Sequence, residues 1–99
     1  MSLDSATQKR LIEFAVRVIR LSGASPKSQA GQHVAAQLLQ VGTKAAPSYA
    51  SGNSQIALQA LAETQVWLQI VRQSEMLPEY ALNDLMTEGE QLSELLTVN

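Results

Sequence analysis

The sequence predicts an all-α protein, an antiparallel up-down-up-down four-helix bundle, with residues 1–99 forming a single domain. Three observations predict it. Apolar residues recur at three- and four-residue steps along most of the chain. No segment sustains a period-two alternation of apolar and polar residues, so no strand is expected. Breaker-rich stretches fall at "GASPKS", "SGNSQ" and "MLPEY", which cuts the chain into four helix-length pieces joined by short connections.

The first helix is expected over Ser5–Ser22, opened by Ser5-x-x-Gln8 as a capping box. Steps of about 100° per residue gather Lys9, Arg10, Glu13, Arg17 and Arg20 on one arc. Leu11, Ile12, Phe14, Ala15, Val18, Ile19 and Leu21 fill the other side, which should be the buried one. Gly23 suits the position after a helix end. Ser25-Pro26 suits an N-cap followed by the first helical residue, where a missing N–H is harmless.

The second helix is expected over Pro26–Ser51. Ala30, Val34, Leu38, Val41 and Ala45 form its apolar stripe, and His33, Gln37, Gln40 and Lys44 a polar one. Gly42 should admit a close neighbouring helix. Pro47 has no N–H to give to Thr43, so a kink near Thr43–Pro47 is predicted rather than a loop. The third helix is expected over Asn53–Glu75. Ile56, Ala60, Trp67 and Val71 make one apolar face, with Trp67 assigned to the core. Ala62, Val66 and Ile70 make a second face on the far side. The fourth helix, over Pro78–Thr97, turns Leu82, Leu85, Gly89, Leu92 and Leu96 inward and its acids elsewhere.

A helix of a lone four-helix bundle needs only one apolar stripe. The second stripe of the third helix therefore makes Ala62, Val66 and Ile70 a candidate subunit interface, and the protein a predicted homo-oligomer. A chain of 99 residues also buries only a modest core, which favours association.

The net charge of −2 conceals an asymmetry. Residues 1–50 carry six Lys and Arg against Asp4 and Glu13, a net +4. Residues 51–99 carry Arg72 against seven acids, a net −6. The halves are complementary in sign, within one fold or between copies. Lys9, Arg10, Arg17 and Arg20 form a candidate nucleic-acid or partner face. Against a nucleic-acid role stand Glu13 inside the arc, the acidic chain and the lack of a stacking aromatic. The alternative is a solvated face in which Glu13 bridges Lys9 and Arg17.

Little in the sequence points to chemistry. There is no cysteine, which excludes disulfides, thiolate metal sites and a thiol nucleophile, and fits a reducing cytoplasm. The single histidine, His33, has no carboxylate three or four residues away, so no metal site is expected. Ser48 and Ser51 lack a base, since His33 lies about 22 Å from Ser48 along one helix. Glu88 and Glu90 project about 200° apart and do not converge. The letters Gly42-Thr43-Lys44 lack the spacing and the strand of a phosphate loop. No enzyme activity, cofactor or small-molecule substrate is predicted. The apolar run "LIEFAVRVIRL" is broken by Glu13, Arg17 and Arg20, so it is neither a secretory signal core nor a membrane span.

Two stretches carry a family resemblance. "QLLQVGTKAAPSYASG" is similar to the pattern Q-L-x-R-S-G-T-S-V-G-A-N-Y-A-E-A, with Gln37, Leu38, Gly42, Thr43, Tyr49 and Ala50 matching. "ETQVWL" is similar to E-T-x-x-W-L through Glu63, Thr64, Trp67 and Leu68. Over roughly residues 8–98 the chain resembles the small bacterial four-helix bundle proteins encoded within intervening sequences of 23S ribosomal RNA genes. It departs from them at Gln40, where Arg is usual, and at Ser48 and Ser51, where Asn and Glu are usual. The resemblance marks Gly42, Pro47, Tyr49, Glu63 and Trp67 as packing positions. It implies an antiparallel bundle, commonly a ring-like homopentamer, with no established enzyme activity. A related branch, the accessory variability determinant of diversity-generating retroelements, works with a reverse transcriptase and nucleic acid through a basic surface. The expected function is thus a non-enzymatic, oligomeric, cytoplasmic bundle of assembly or partner-binding role, with an RNA- or DNA-associated accessory protein as the alternative.

Overall fold

A computed structural model describes residues 4–97. The first helix, α1, spans Ser5–Gly23, and its cap is Asp4 rather than Ser5. The Asp4 carboxylate accepts the Ala6 N–H at 3.1 Å and the Thr7 hydroxyl at 2.8 Å. The Thr7 hydroxyl, with the Ala6 N–H, holds this carboxyl below its ordinary range. Gln8 does not close a capping box. Its side-chain amide donates to the Ala46 carbonyl at 3.3 Å, across to the next bundle position. The Asp4 N–H donates to the buried Tyr49 hydroxyl at 3.2 Å. The start of α1 is thereby tied to the "APSYA" stretch far along the chain.

At its other end α1 keeps Gly23 inside the helix, and the cap is Ala24 in ordinary right-handed geometry. The expected left-handed role of Gly23 does not occur. The second helix also begins later than expected. Ser25 is buried in the connection, and Ser28 caps α2, Gln29–Gly42, by accepting the Gly31 N–H at 3.1 Å.

The expected long second helix is two helices. Thr43 and Lys44 interrupt it, and α3 follows over Ala45–Ala50. The position is the one foreseen, but the ladder is broken outright. Pro47 cannot donate to Thr43, so the chain restarts with Pro47 in the first turn of α3, where no donor is needed. The Thr43 hydroxyl donates to the Leu39 carbonyl at 2.6 Å and helps close the end of α2.

Two helix ends share one geometry. After α3, Gly52 adopts φ +86°, its N–H reaches the Tyr49 carbonyl, and the Asn53 N–H reaches the Ser48 carbonyl. This is a Schellman closure with glycine in the left-handed position. Asn53 then caps α4, Ser54–Gln73, by accepting the Ile56 N–H at 3.1 Å. After α4 the same pair of bonds forms, from Glu75 to Arg72 and from Met76 to Val71. Here the left-handed residue is Glu75, at φ +57°. The last helix, α5, spans Glu79–Thr97.

Helices α2 and α3 together fill one of four bundle positions. Both α1 and α4 contact α2, α3 and α5, so α1 and α4 stand at opposite corners. The fold is therefore the predicted four-helix bundle, 45 Å long and 17–20 Å across. Leu11, Phe14 and Val18 of α1, Leu38 of α2, Leu61 and Leu68 of α4, and Leu82, Leu85 and Leu92 of α5 are fully enclosed. The whole α5 stripe is buried as expected, including Gly89 and Leu96. On α2, Val34 and Leu38 are buried with Ala45 of α3, whereas Ala30 is exposed and Val41 half-buried.

Gly42 sits against α1. A Cβ there would lie 2.5 Å from a Val18 methyl. Replacing Gly42 by alanine should cost about 1–2 kcal/mol, the overpacking penalty exceeding the helix gain of losing a glycine. Chemical denaturation checks this, and Val18→Ala in the Gly42→Ala background should recover part of the loss. An unchanged midpoint for Gly42→Ala would contradict the close contact. At the other site, Glu75→Gly should stabilise by about 1 kcal/mol, because it removes a side chain from left-handed backbone. That corresponds to a rise in Tm of about 4–8 °C. A lower Tm would show that Glu75 makes a compensating contact.

Candidate interaction surfaces

The basic arc of α1 does not stay together in three dimensions. Arg10 leans across to α5, where its guanidinium pairs with Glu88 at 2.9 and 3.1 Å and donates to the Gln91 side chain at 3.2 Å. This is the one ion pair among the described residues, partly open to solvent, so it contributes at most about 1 kcal/mol. The Glu88 hydrogen bond raises the Arg10 pKa further, so Arg10 stays charged and engaged. The anticipated Glu13 bridge to Lys9 and Arg17 does not form. Lys9, Arg17 and Arg20 remain as exposed cations, and Arg17 and Arg20 line the shallow groove between α1 and α5 with Glu13, Glu88, Ala81 and Leu85.

Beside these cations runs an exposed apolar stripe that includes Ile12 and Ile19, both expected on the buried side, and Val16, which was placed on neither side. Ile12 and Ile19 are about half exposed, at 48% and 51%, and Val16 lies between them on the same stripe. The inward side of α1 is narrower than its apolar arc. Thr7, Leu11, Phe14, Val18, Leu21 and Ser22 fill it, and Ile12, Val16 and Ile19 fall outside it, with Val16 at the edge of the groove that Arg17, Arg20 and Glu88 line. Leu39, also exposed, lies one turn from Gly42, which faces Val18 of α1. The spacing 12-16-19 marks a second stripe in the sequence, but nothing local to α1 says which stripe faces in.

The outward face of α4 carries the stripe that was anticipated. Val66 is 59% exposed, and Ile70 and Ala62 are exposed beside it; Ile56, expected on the other apolar face with Ala60, Trp67 and Val71, is exposed as well, because it lies at the outer edge of that face while Ala60 and Val71 turn into the core. Glu63 lies on the outward face, also exposed. Arg72 turns aside and donates to Gln69 at 2.9 Å on the flank toward α5. Among the residues marked by the family motifs, Gly42 and Tyr49 are buried and Trp67 is half-buried against the core, while Pro47 and Glu63 are exposed. Trp67 meets His33 of α2 edge-on, with ring centroids 6.2 Å apart, so the pair bridges α2 and α4 at the surface.

Helix α5 presents a different surface. Its outward residues include Asp84, Glu90 and Glu94, and Tyr80 is its only exposed large hydrophobic residue among those described. Glu88 and Glu90 diverge, one to Arg10 and the other to a groove beside Gln65 and Asn83. The candidate nucleophile Ser51 donates its hydroxyl to the Ser48 carbonyl at 3.0 Å as part of the α3 ending. No group of three or more His, Cys, Asp or Glu residues converges on a metal-sized site among the described residues. None of the described helices is long and apolar enough to cross a membrane.

Comparison with protein-family models gives no match, and neither does comparison with curated proteins. Among solved structures, the fold is similar to that of a protein of unknown function from the S23 ribosomal protein family of Bacteroides thetaiotaomicron. The two share 21% sequence identity and superpose with a TM-score of 0.84 over 91% of this chain and 94% of the other. At this level of identity the likeness establishes a common four-helix architecture.

Proposed function

We propose that this chain acts as a subunit of a non-enzymatic, cytoplasmic homo-oligomer whose role is assembly or partner binding. The observation that carries the reading is the number of large apolar side chains left on the outside of a complete bundle. Ile12, Val16, Ile19 and Leu39 lie on one side, and Ile56, Val66 and Ile70 on another. Contiguous exposed patches of this kind mark interaction sites. Covering one such side chain is worth about 1.5–3 kcal/mol at most, so two stripes can sustain association. The motif resemblance, joined by the structural likeness, supports placing the chain with the 23S rRNA intervening-sequence proteins and suggests five copies.

A second reading, an accessory protein that works beside a nucleic acid, is favoured by one observation. Arg17 and Arg20 are exposed, border the same groove and have no ion-pair partner among the described residues. It is the weaker of the two, because Arg10 is held by Glu88 and the chain as a whole is acidic.

Sedimentation equilibrium tests the leading reading. The wild type should sediment at several times 10.7 kDa, and Val66→Asp with Ile70→Asp should fall to one chain with its helical circular dichroism intact. A wild type that sediments as one chain at high micromolar concentration would refute the proposal. For the second reading, affinity for a single-stranded RNA should fall with salt at a log–log slope of about −2 per copy if Lys9, Arg17 and Arg20 meet phosphates. Arg17→Glu with Arg20→Glu should weaken binding and cut that slope to about −0.7 or less, Lys9 alone remaining. Binding without a salt slope, or unaffected by the double variant, would rule the cationic face out.

A further inference from the structure

We infer that the two apolar stripes are the two halves of one head-to-tail joint, in which the α1 stripe of one copy sits on the α4 stripe of the next. The inference rests on the homo-oligomer reading above and specifies which surfaces meet.

The stripes differ in sign. Ile12, Val16 and Ile19 are bordered by Lys9, Arg17 and Arg20, with Glu13 the only acid among them. On α4, Val66, Ile70, Ile56 and Ala62 surround Glu63, and Arg72 is turned away toward Gln69. A symmetric contact would bring each stripe against itself. Pairing α1 with α1 sets three cations against three cations, and pairing α4 with α4 sets Glu63 against Glu63. Pairing α1 with α4 brings the cations toward Glu63 and covers both apolar sets at once. Like charges across a joint are penalised and opposite ones steer it.

The positions of the stripes agree. Helices α1 and α4 occupy opposite corners of the bundle, so a copy cannot close its own stripes together. Each copy then offers one surface of each kind, which is the condition for a heterologous contact that propagates or closes into a ring. The side chains also suit close helix packing. Ala62, Val66 and Ile70 form a ridge of four-residue steps with a small residue at one end, and Ile12 and Val16 form the matching step on α1.

The acidic outer face of α5 is the other surface that could attract the α1 cations. Its exposed apolar complement is Tyr80 alone among the described residues, which would leave Ile12, Val16 and Ile19 wet. Helix α4 satisfies both the charge and the apolar requirement.

The chain has no cysteine, so a disulfide-trapping experiment has no background. Val16→Cys and Val66→Cys are made as separate proteins, each at an exposed valine, then mixed and mildly oxidised. A second pair, Ile19→Cys with Ile70→Cys, covers a mismatch in registration. The expected result is a disulfide dimer holding one copy of each variant, with little dimer from either variant alone. Sedimentation of the reduced proteins reports assembly independently. If they assemble but join only like with like, or not at all in either pair, the head-to-tail joint is wrong and the oligomer reading stands. If they remain single chains and no disulfide forms, both fail.

Discussion

A helix in a four-helix bundle can turn only one stripe inward, and this limit governs the rest of the molecule. Here the inward stripes are supplied in full. Phe14, Leu11 and Val18 meet Leu38, Leu61, Leu68 and the leucines of α5 in one core. Helix α5 spends its apolar residues there and leaves an acidic outside. Helices α1 and α4 carry more apolar residues than the core can take. The excess cannot be absorbed by rotating either helix, because rotation would withdraw Phe14 or Leu68 from a site that is already filled. It therefore remains on the surface.

The breakers in the middle of the chain serve the same core. Gly42 lets α2 approach Val18 without a side chain between them. The interruption at Thr43 and Lys44 then lets α3 set off independently, which seats Ala45, Ala46 and Tyr49 against α1 and α4. Tyr49 in turn receives the N–H of Asp4, the residue that caps α1. Gly52 reverses the chain in two residues, so that Asn53 can cap α4 at once. The glycine, the proline and the break between them are thus features of packing.

The sequence was most legible where one requirement acted alone. The α5 stripe was right residue for residue, because only its leucines and Gly89 fit an inward line. The break before Pro47 was placed correctly, because a missing N–H has a fixed consequence, though its extent was underestimated. Legibility failed where two elements had to meet. Ile12 and Ile19 lie on the apolar side of α1, and only the packing of the neighbouring helices decides that the line through Leu11, Phe14 and Val18 faces in and leaves them outside. Arg10 sits in the cationic arc by periodicity, yet Glu88 on another helix claims it. Ser5 and Ser25 are good capping residues, but Asp4 and Ser28 lie nearer the turns that the connections impose. Of the candidate surfaces, Ala62, Val66 and Ile70 were found because α4 has a second stripe spaced well apart from the first. The α1 stripe adjoins its inward one and was merged with it.

Small-angle X-ray scattering of the wild type in solution tests most directly whether the excess apolar surface is covered by other copies. A single bundle has a Cα radius of gyration of 13.2 Å. The account predicts a radius well above this value and a forward scattering that corresponds to several chains, both persisting on dilution into the low micromolar range. A radius close to that of one bundle, with the forward scattering of one 10.7 kDa chain at every concentration, would contradict it.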